Sequence, residues 1–595
     1  MSARDSGAPD SGAEPDNAAD ASSEENATIV LGIDLGTTFS AMAWVNDHGK
    51  PEIISNSEGF PTTPSIVHFY DEDACVVGEE AVKMVVIDPE NVVRFIKRHM
   101  GEEEFTLEFY GRPYTPQEIS ALILRKLKED AEEVMGKEIK DAVITVPAYF
   151  HSAQRGATAE AGAIAGLNVL SIINEPTAAA IAYGLDRIGG SRKLLVLDLG
   201  GGTFDVTAME IKGTKLSTIA SDGNAELGGK DWDDRLLNYV ADQFFEKYQI
   251  DPRDDPAPYQ ELYERCLHAK ISLSTKDKAV IPVNHRGHRL AVKVDRELFE
   301  ELTRDLVQQC EDTSNLVLEK ASIKWGDLDD ILLVGGSTRM PMIRNMLTRL
   351  AGKEPAAGVN PDECVALGAA LAGVFRHRPN HPALREKRQA MVDRARKLKK
   401  EIQATQPAKP PPQENRPRGA VIGLAYGGHV AEEMARQAAL EAEERATEPM
   451  EGLPDVTIEA VTTHPLGIIV LDKNRQERVV ELIPERTRLP YEYKGRFAYA
   501  YENMTAVRVE VTEGAGTTRD EVTVIGKVEL TGLPPRPRGT PIEIYYSYGV
   551  DQILNVRVVD VESGVSRQVL IRFAGGMDPD GLENARKRNT KMAVD

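Results

Sequence analysis

Two stretches of the chain carry glycine, threonine and aspartate in the same order. Ile29-Val-Leu-Gly-Ile-Asp34-Leu-Gly36-Thr37-Thr38-Phe39 is an apolar run, an acid, a glycine turn and a return. Leu194-Leu-Val-Leu-Asp198-Leu-Gly200-Gly201-Gly202-Thr203-Phe204-Asp205 repeats that arrangement 164 residues later. Each predicts a β-hairpin whose tight turn points backbone N–H groups outward. Glycine lets that backbone approach an anion closely, and the threonine hydroxyls add donors. One such turn is ordinary hairpin chemistry. Two facing turns would clamp a polyphosphate from both sides. The carboxylates suit a cation instead. Mg²⁺ keeps most of its waters, so Asp34, Asp198 and Asp205 can hold it through hydration water.

A third glycine turn, Val334-Gly335-Gly336-Ser337-Thr338-Arg339-Met340-Pro341, follows another apolar run. Ser337 or Thr338 fits a helix N-cap and Pro341 the first helical turn, so N–H groups there would also face an anion. The G-x-x-x-x-G-K-[ST] loop is absent, and no G-x-G-x-x-G follows a strand. H-E-x-x-H and G-x-S-x-G are missing as well, which removes the common metalloprotease and serine-hydrolase readings.

These turns need a scaffold, and the chain is long enough to build one. Its 595 residues are 41% hydrophobic and only 6% aromatic, with a net charge of −23. So acidic a chain is repelled by phosphate backbones, which argues against general nucleic-acid binding. Four scattered cysteines without C-x-x-C spacing point away from a disulfide framework or structural zinc, and towards a reducing, cytoplasmic setting. No apolar run approaches the ~18 residues of a membrane span.

Residues 1–27, with seven acids against one Arg, predict a solvated tail. Residues 28–376 alternate apolar strands (Ile29–Ile33, Ala142–Val146, Val169–Ile173, Leu194–Leu197, Ile331–Val334) with helical patterns (Pro116–Met135, Trp232–Tyr248, Leu298–Ala321). That succession is α/β. Residues 377–454 read as an insertion: a basic helix at 383–402, a Pro-rich stretch, and an acidic helix at 430–446. Several short alternating strands across 455–573 predict a β-sandwich. Residues 574–595 are expected to be a flexible tail.

The motifs GIDLGTTFS, VPAYF at Val146, NEPTAAAIAYG at Asn174, DLGGGTFDV, LGGKDWD at Leu227, VGGSTRMP and NPDE at Asn360 resemble the heat shock protein 70 family of ATP-driven chaperones. PLGI at Pro465, PPRPRG at Pro534 and ILNV at Ile553 extend the likeness into the β region. The resemblance implies an actin-like (ribonuclease H-like), two-lobed ATPase domain followed by a peptide-binding β-sandwich. It implies that Gly36, Thr37, Thr38 and Gly200, Gly201, Gly202 and Thr203 cradle the phosphates of ATP. Asp34, Asp198 and Asp205 would organise Mg²⁺ and K⁺. Lys97 matches the catalytic lysine, placed to hold the attacking water and offset charge on the γ-phosphate. Taken alone, Lys97 would read as a surface lysine. Glu175 would orient water or the metal shell, with Asp34, Asp198 and Thr203 completing the catalytic group.

By the same resemblance, Lys270, Ser274, Gly335, Gly336, Ser337, Arg339 and Asp362 would form the adenosine pocket. Pro147 and Arg155 would relay between the γ-phosphate and the sandwich. Ile468, Leu471, Phe497, Val507 and Val509 would line the pocket for an extended, unfolded polypeptide, although periodicity alone reads them as sandwich core. J-domain and nucleotide-exchange co-chaperones are implied partners.

The chain also departs from that family. Leu267 stands where a ribose-facing Glu is usual, a loss of about 1–2 kcal/mol if one hydrogen bond goes. Glu226 replaces a common His. The linker stretch Asp455-Val-Thr-Ile-Glu459-Ala-Val-Thr462 is much less apolar than the family's leucine-rich run. The family's apolar run docks on the ATPase domain, so the coupling of ATP to peptide is expected to weaken in this chain. Too few residues follow the sandwich for the family's helical lid, so fast peptide exchange is expected. An exchange factor with little turnover and an actin-like filament are the alternative readings; the presence of Lys97, Glu175 and Thr203 argues against the first, and the sandwich against the second.

Overall fold

The computed structural model describes residues 29–377, 457–571 and 577–594, apart from 47, 103, 185–190, 214, 359, 473, 550–553 and 578. The two expected helices and the Pro-rich stretch of the insertion lie outside the described residues.

Two sheets repeat one design. In the first lobe the strands run Asn168–Asn174, Asp141–Val146, Val30–Asp34, Phe39–Val45, Pro51–Ile54. Val30–Asp34 pairs antiparallel with its hairpin partner (Gly32 opposite Ala43) and parallel with Asp141–Val146 (Val30 opposite Asp141). The second lobe orders Asp330–Val334, Ser191–Leu199, Phe204–Lys212, Lys215–Asn224 and then Thr457–Glu459. Ser191–Leu199 likewise has an antiparallel hairpin partner and a parallel neighbour in Asp330–Val334. The echo seen in the residues is thus an echo in the sheets.

Helices Glu175–Gly184 and Cys364–His377 pack between the lobes against Val30, Val143, Leu194, Val196 and Leu332, forming one buried apolar cluster. The approach is so close that a Cβ on Gly368 would stand 1.8 Å from the Ala178 carbonyl oxygen. A separate core fills each lobe, around Trp232, Phe244 and Ile343 in the second and Phe69, Ile119 and Leu124 in the first.

The β region is a sandwich of two four-stranded sheets. One runs Glu477–Ile483, Leu466–Leu471, Val507–Glu513, Thr523–Leu530, and the other Tyr491–Ala498, Pro541–Tyr548, Leu554–Asp560, Ser566–Ile571. Alternate residues point inward, as period-two patterning requires. Tyr546, fully buried, satisfies its hydroxyl by donating to the Gly467 carbonyl at 3.0 Å.

The structure corrects two expectations and qualifies a third. The helical pattern Leu298–Ala321 is two helices, Arg296–Leu302 and Arg304–Ala321, separated at Thr303. Thr303 turns back to donate to the Phe299 carbonyl and leaves the helical region at φ −119°. The linker docks despite its polarity. Thr457–Glu459 adds a parallel edge strand to Lys215–Ser217, and Glu459 pairs with Lys215 at 2.5 Å. Main-chain pairing does not need leucines. Finally, the expected flexible end at 574–595 contains a helix, Pro579–Lys591, and a short strand, Ala593–Val594, both packed on the first lobe.

Candidate active site

The two glycine hairpins meet turn to turn at the cleft. The nearest obstacle to a Cβ on Gly201 is the Thr38 side chain at 2.3 Å, and for Gly202 it is Thr37 at 2.4 Å. Only hydrogen fits at either position, so the turns can lie in contact. Gly36 N donates to Ser40 Oγ, and Ser65 Oγ donates to the Gly36 carbonyl at 2.8 Å, which fixes the first turn. The second closes on itself through Gly200 N to Thr203 O, 3.0 Å, and is held from behind by Gly229 N and Lys230 N. Ser337 Oγ reaches the same Gly200 carbonyl at 2.9 Å, bringing the third turn to the second. Ser337 is therefore no helix cap: the next helix, Pro341–Ala351, begins after Met340, and Thr338 Oγ1 bonds back to Gly335.

Behind the turns lie the charged groups. Lys97, 4% exposed, donates to Glu175 Oε1 at 2.6 Å, and Glu175 is equally buried. Asp198 and Asp205 are buried with them. Thr145 Oγ1 donates to Asp34 at 3.2 Å. Burial, reinforced by the charge of Glu175, pushes the carboxyls of Asp34 and Asp205 up to about 7. Burial and the neighbouring Glu175, Asp205 and Asp34 raise Asp198 well above the carboxylate range. Burial opposes the Lys97 charge, but Glu175 and Asp34 outweigh it and hold the ammonium above its ordinary value. Four desolvated carboxyls around one ammonium form an acidic excess that a cation would relieve, so the donor set fits Mg²⁺. Among the described residues, no three His, Cys, Asp or Glu side chains converge to ligate a metal.

On the adenosine side, Lys270 Nζ donates to Asp233 Oδ2 at 2.7 Å and to the Gly229 carbonyl at 2.9 Å, leaving Asp233 Oδ1 buried without a partner. Ser274 Oγ sits on the Lys270 carbonyl one helical turn on. Arg339 pairs with Asp362 at 2.6 Å, beside Gly336. Leu267 is half-buried on the helix that carries Lys270.

Arg155 is 4% exposed, not the solvated helix residue that its pattern alone suggests. It donates to the carbonyls of Pro147, Ala148 and Phe150 and to Asn174 Oδ1. The 147–150 loop it grips meets the sandwich: Thr463 Oγ1 bonds Ala148 O, His464 Nε2 bonds Tyr149 O, and Ser152 donates twice to Glu513. Lys320 ties Asp222 to Glu485.

Of the five residues expected to line a peptide pocket, Ile468, Val507, Val509 and Phe497 share the apolar cluster of the sandwich, and Leu471 stands outside it. Ile468, Val507 and Val509 face inward, packed with Ile544, Tyr546 and Val556 in the sandwich core, because alternation turns them towards the opposite sheet. Leu471 and Phe497 are half-buried, Phe497 against that core. Sequence reasoning missed Arg98, which crosses the cleft to the Gly202 carbonyl (2.9 Å) and Asp231 (2.6 Å). Its only signal was adjacency to Lys97. It also missed Arg475 over the Tyr501 ring, 5.6 Å from the centroid, which joins two sandwich loops.

A two-lobed, actin-like ATPase joined to a β-sandwich is the class that this fold and site define. The family model described as Hsp70 protein matches residues 30–107, 102–380 and 429–595. The chaperone protein DnaK of Thermotoga neapolitana is 38% identical over 556 residues, covering 92% of this chain and 81% of that protein. That of Thermosipho africanus is 36% identical over 569 residues, 94% and 83% respectively. The chain belongs to the Hsp70 family. It is an ATP-dependent molecular chaperone that hydrolyses ATP, used with Mg²⁺, and binds unfolded polypeptides.

Proposed function

We propose that hydrolysis takes place between the facing turns, by attack of water on the γ-phosphate with no covalent protein intermediate. The observation that carries this reading is the Lys97–Glu175 pair, buried directly behind two turns that only glycine allows to touch. Backbone N–H groups of Gly201 and Gly202, with the hydroxyls of Thr37, Thr38 and Thr203, bind the phosphates, while Gly36 and Gly200 shape the turns through their own hydrogen bonds to Ser40 and Thr203. Lys97 holds the attacking water and balances charge growing on the phosphoryl oxygens, while Glu175 fixes the ammonium and orients that water. Asp34, Asp198 and Asp205 hold the hydrated Mg²⁺, with K⁺ alongside; the metal, when bound, neutralises the phosphate oxygens. Lys270, Ser274, Gly335, Gly336, Ser337, Arg339 and Asp362 seat the adenosine. A steady-state phosphate-release assay on wild type and Lys97→Ala tests the reading, and equal rates would end it.

Pro147 and Arg155 carry the state of the phosphate site to the sandwich through the 147–150 loop. Unfolded segments bind the sandwich in extended form, with Leu471, Phe497 and the Arg475–Tyr501 loops at the contact, over a floor shaped by Ile468, Val507 and Val509. J-domain and nucleotide-exchange co-chaperones are the partners this cycle needs. A cytoplasmic setting agrees with four buried cysteines that form no disulfide among the described residues. Among those residues, too, no helix is long and apolar enough to cross a membrane.

A further inference from the structure

We propose that residues 577–594 are an intramolecular strap that fastens the exit end of the sandwich to the first lobe of the ATPase domain. The strap is built from three kinds of contact. Its helix, Pro579–Lys591, lies on helices Pro116–Met135 and Ser152–Ile164, burying Ala585 completely and Met592 almost so in the core of the first lobe. Its strand, Ala593–Val594, then adds in parallel to Ala74–Val77, with Ala593 N donating to the Asp73 carbonyl at 2.9 Å. This covers an edge whose unpaired backbone groups would otherwise face solvent.

Polar groups fix the seat. Glu118 uses Oε2 to cap its own helix at Thr115 and Oε1 to receive Arg588 Nε at 3.0 Å. Arg125 donates to the carbonyls of Asn589 and Met592, in the last turn of the strap helix and just beyond it. The Asn589 carbonyl also accepts from Met592 N at 3.2 Å, and a guanidinium at this end complements the helix dipole. At the other end, Met577 N donates to Glu160 Oε1 at 3.0 Å.

The consequence follows from chain length. Five residues separate Ile571, the end of the last sandwich strand, from Met577. Even fully extended they span about 20 Å. The sandwich is therefore pinned at both ends, by Thr457–Glu459 on the second lobe and by the strap on the first. While the strap is seated, the sandwich cannot leave the ATPase domain.

None of these contacts is made by a residue of the phosphate turns, although the helix Ser152–Ile164 beneath the strap carries Arg155. Hydrogen exchange tests it on the full chain, on a chain ended at Gly576, and on Ala585→Glu. In wild type, amides of 585–594 and 74–77 are expected to be protected. Both variants should speed exchange at 74–77 and 462–464 at least tenfold, with Lys215–Asn224 unchanged as the folding control. Free-peptide exchange of 585–594 in wild type would overturn the proposal, whatever the variants do. So would variants that leave 74–77 and 462–464 as protected as before. Protection of 74–77 that grows with protein concentration would place the strap on a second copy, and overturn the intramolecular assignment.

Discussion

Tyr149 donates its backbone N–H to Asp205 Oδ1 at 3.0 Å while its carbonyl accepts from His464 Nε2 at 3.2 Å. One peptide segment thus touches a carboxylate of the phosphate cleft and a side chain of the sandwich. The His464 ring stacks on His151, centroids 3.9 Å apart. Burial, followed by the His151 charge, pushes the His464 imidazole down to about 3, so it remains a neutral donor through the physiological range. His464→Leu removes the donor and keeps the bulk. We expect peptide to stimulate ATP turnover several-fold less in this variant, with basal turnover within twofold of wild type. A stimulation ratio equal to wild type would show that the contact carries no coupling.

Lys97 and Glu175 act as a pair, so their losses should not add. Removing a preorganised charge that faces a developing anion costs about 10²–10³ in rate. Lys97→Ala should therefore lower kcat by about that factor while leaving nucleotide affinity within a few-fold. The double variant with Glu175→Gln should fall little further, because the residues share one function. Single-turnover hydrolysis measures both, and additive losses would separate the two roles.

The hairpins and their facing arrangement were legible because glycine, threonine and aspartate at a turn have few other uses, and because the pattern occurs twice. Helix Pro116–Met135 matched residue for residue, its ends marked by Thr115 with Glu118 and by Gly136 in the left-handed region. The strap was not legible. Its helix is mostly polar, as in Arg586-Lys587-Arg588-Asn589, and docks through Ala585 alone at full burial, with Met592 just beyond it. Such a stripe resembles a solvated tail. Arg98 escaped notice for another reason: its acceptors are a backbone carbonyl 104 residues away and the Asp231 carboxylate 133 residues away, which leave no mark on local pattern. The linker misled because leucine content reports apolar docking, whereas Thr457–Glu459 docks through main-chain hydrogen bonds.

Leu267 lies one turn before Lys270, and Lys270 already spends its charge on Asp233. A carboxylate at 267 would add an acceptor on the face of the helix that carries Lys270. One hydrogen bond to a sugar hydroxyl contributes about 1–1.5 kcal/mol. Leu267→Glu should thus tighten ADP binding by about five- to tenfold, read by calorimetric titration, with kcat little changed. Unaltered affinity would mean that this helix face does not reach the ribose.

Glu160 makes the strap sensitive to pH. Burial pushes its carboxyl from the ordinary 4.5 up to about 7, against the hydrogen bonds from Met577 N–H and Gln117, and Oε2 has no partner. The folded state therefore holds a proton that the unfolded chain releases above about 4.5. Stability linked to this group is present below that pH, is lost as pH rises to about 7, and is flat beyond. Exchange protection of 577–594 should be higher at pH 5 than at pH 8. Glu160→Gln keeps the acceptor for Met577 without a charge to desolvate, so its protection should be the same at both values and at least equal to wild type at pH 8. Because intrinsic exchange depends on pH, protection factors rather than rates are compared. A variant that keeps the wild-type difference would assign the pH dependence to another group.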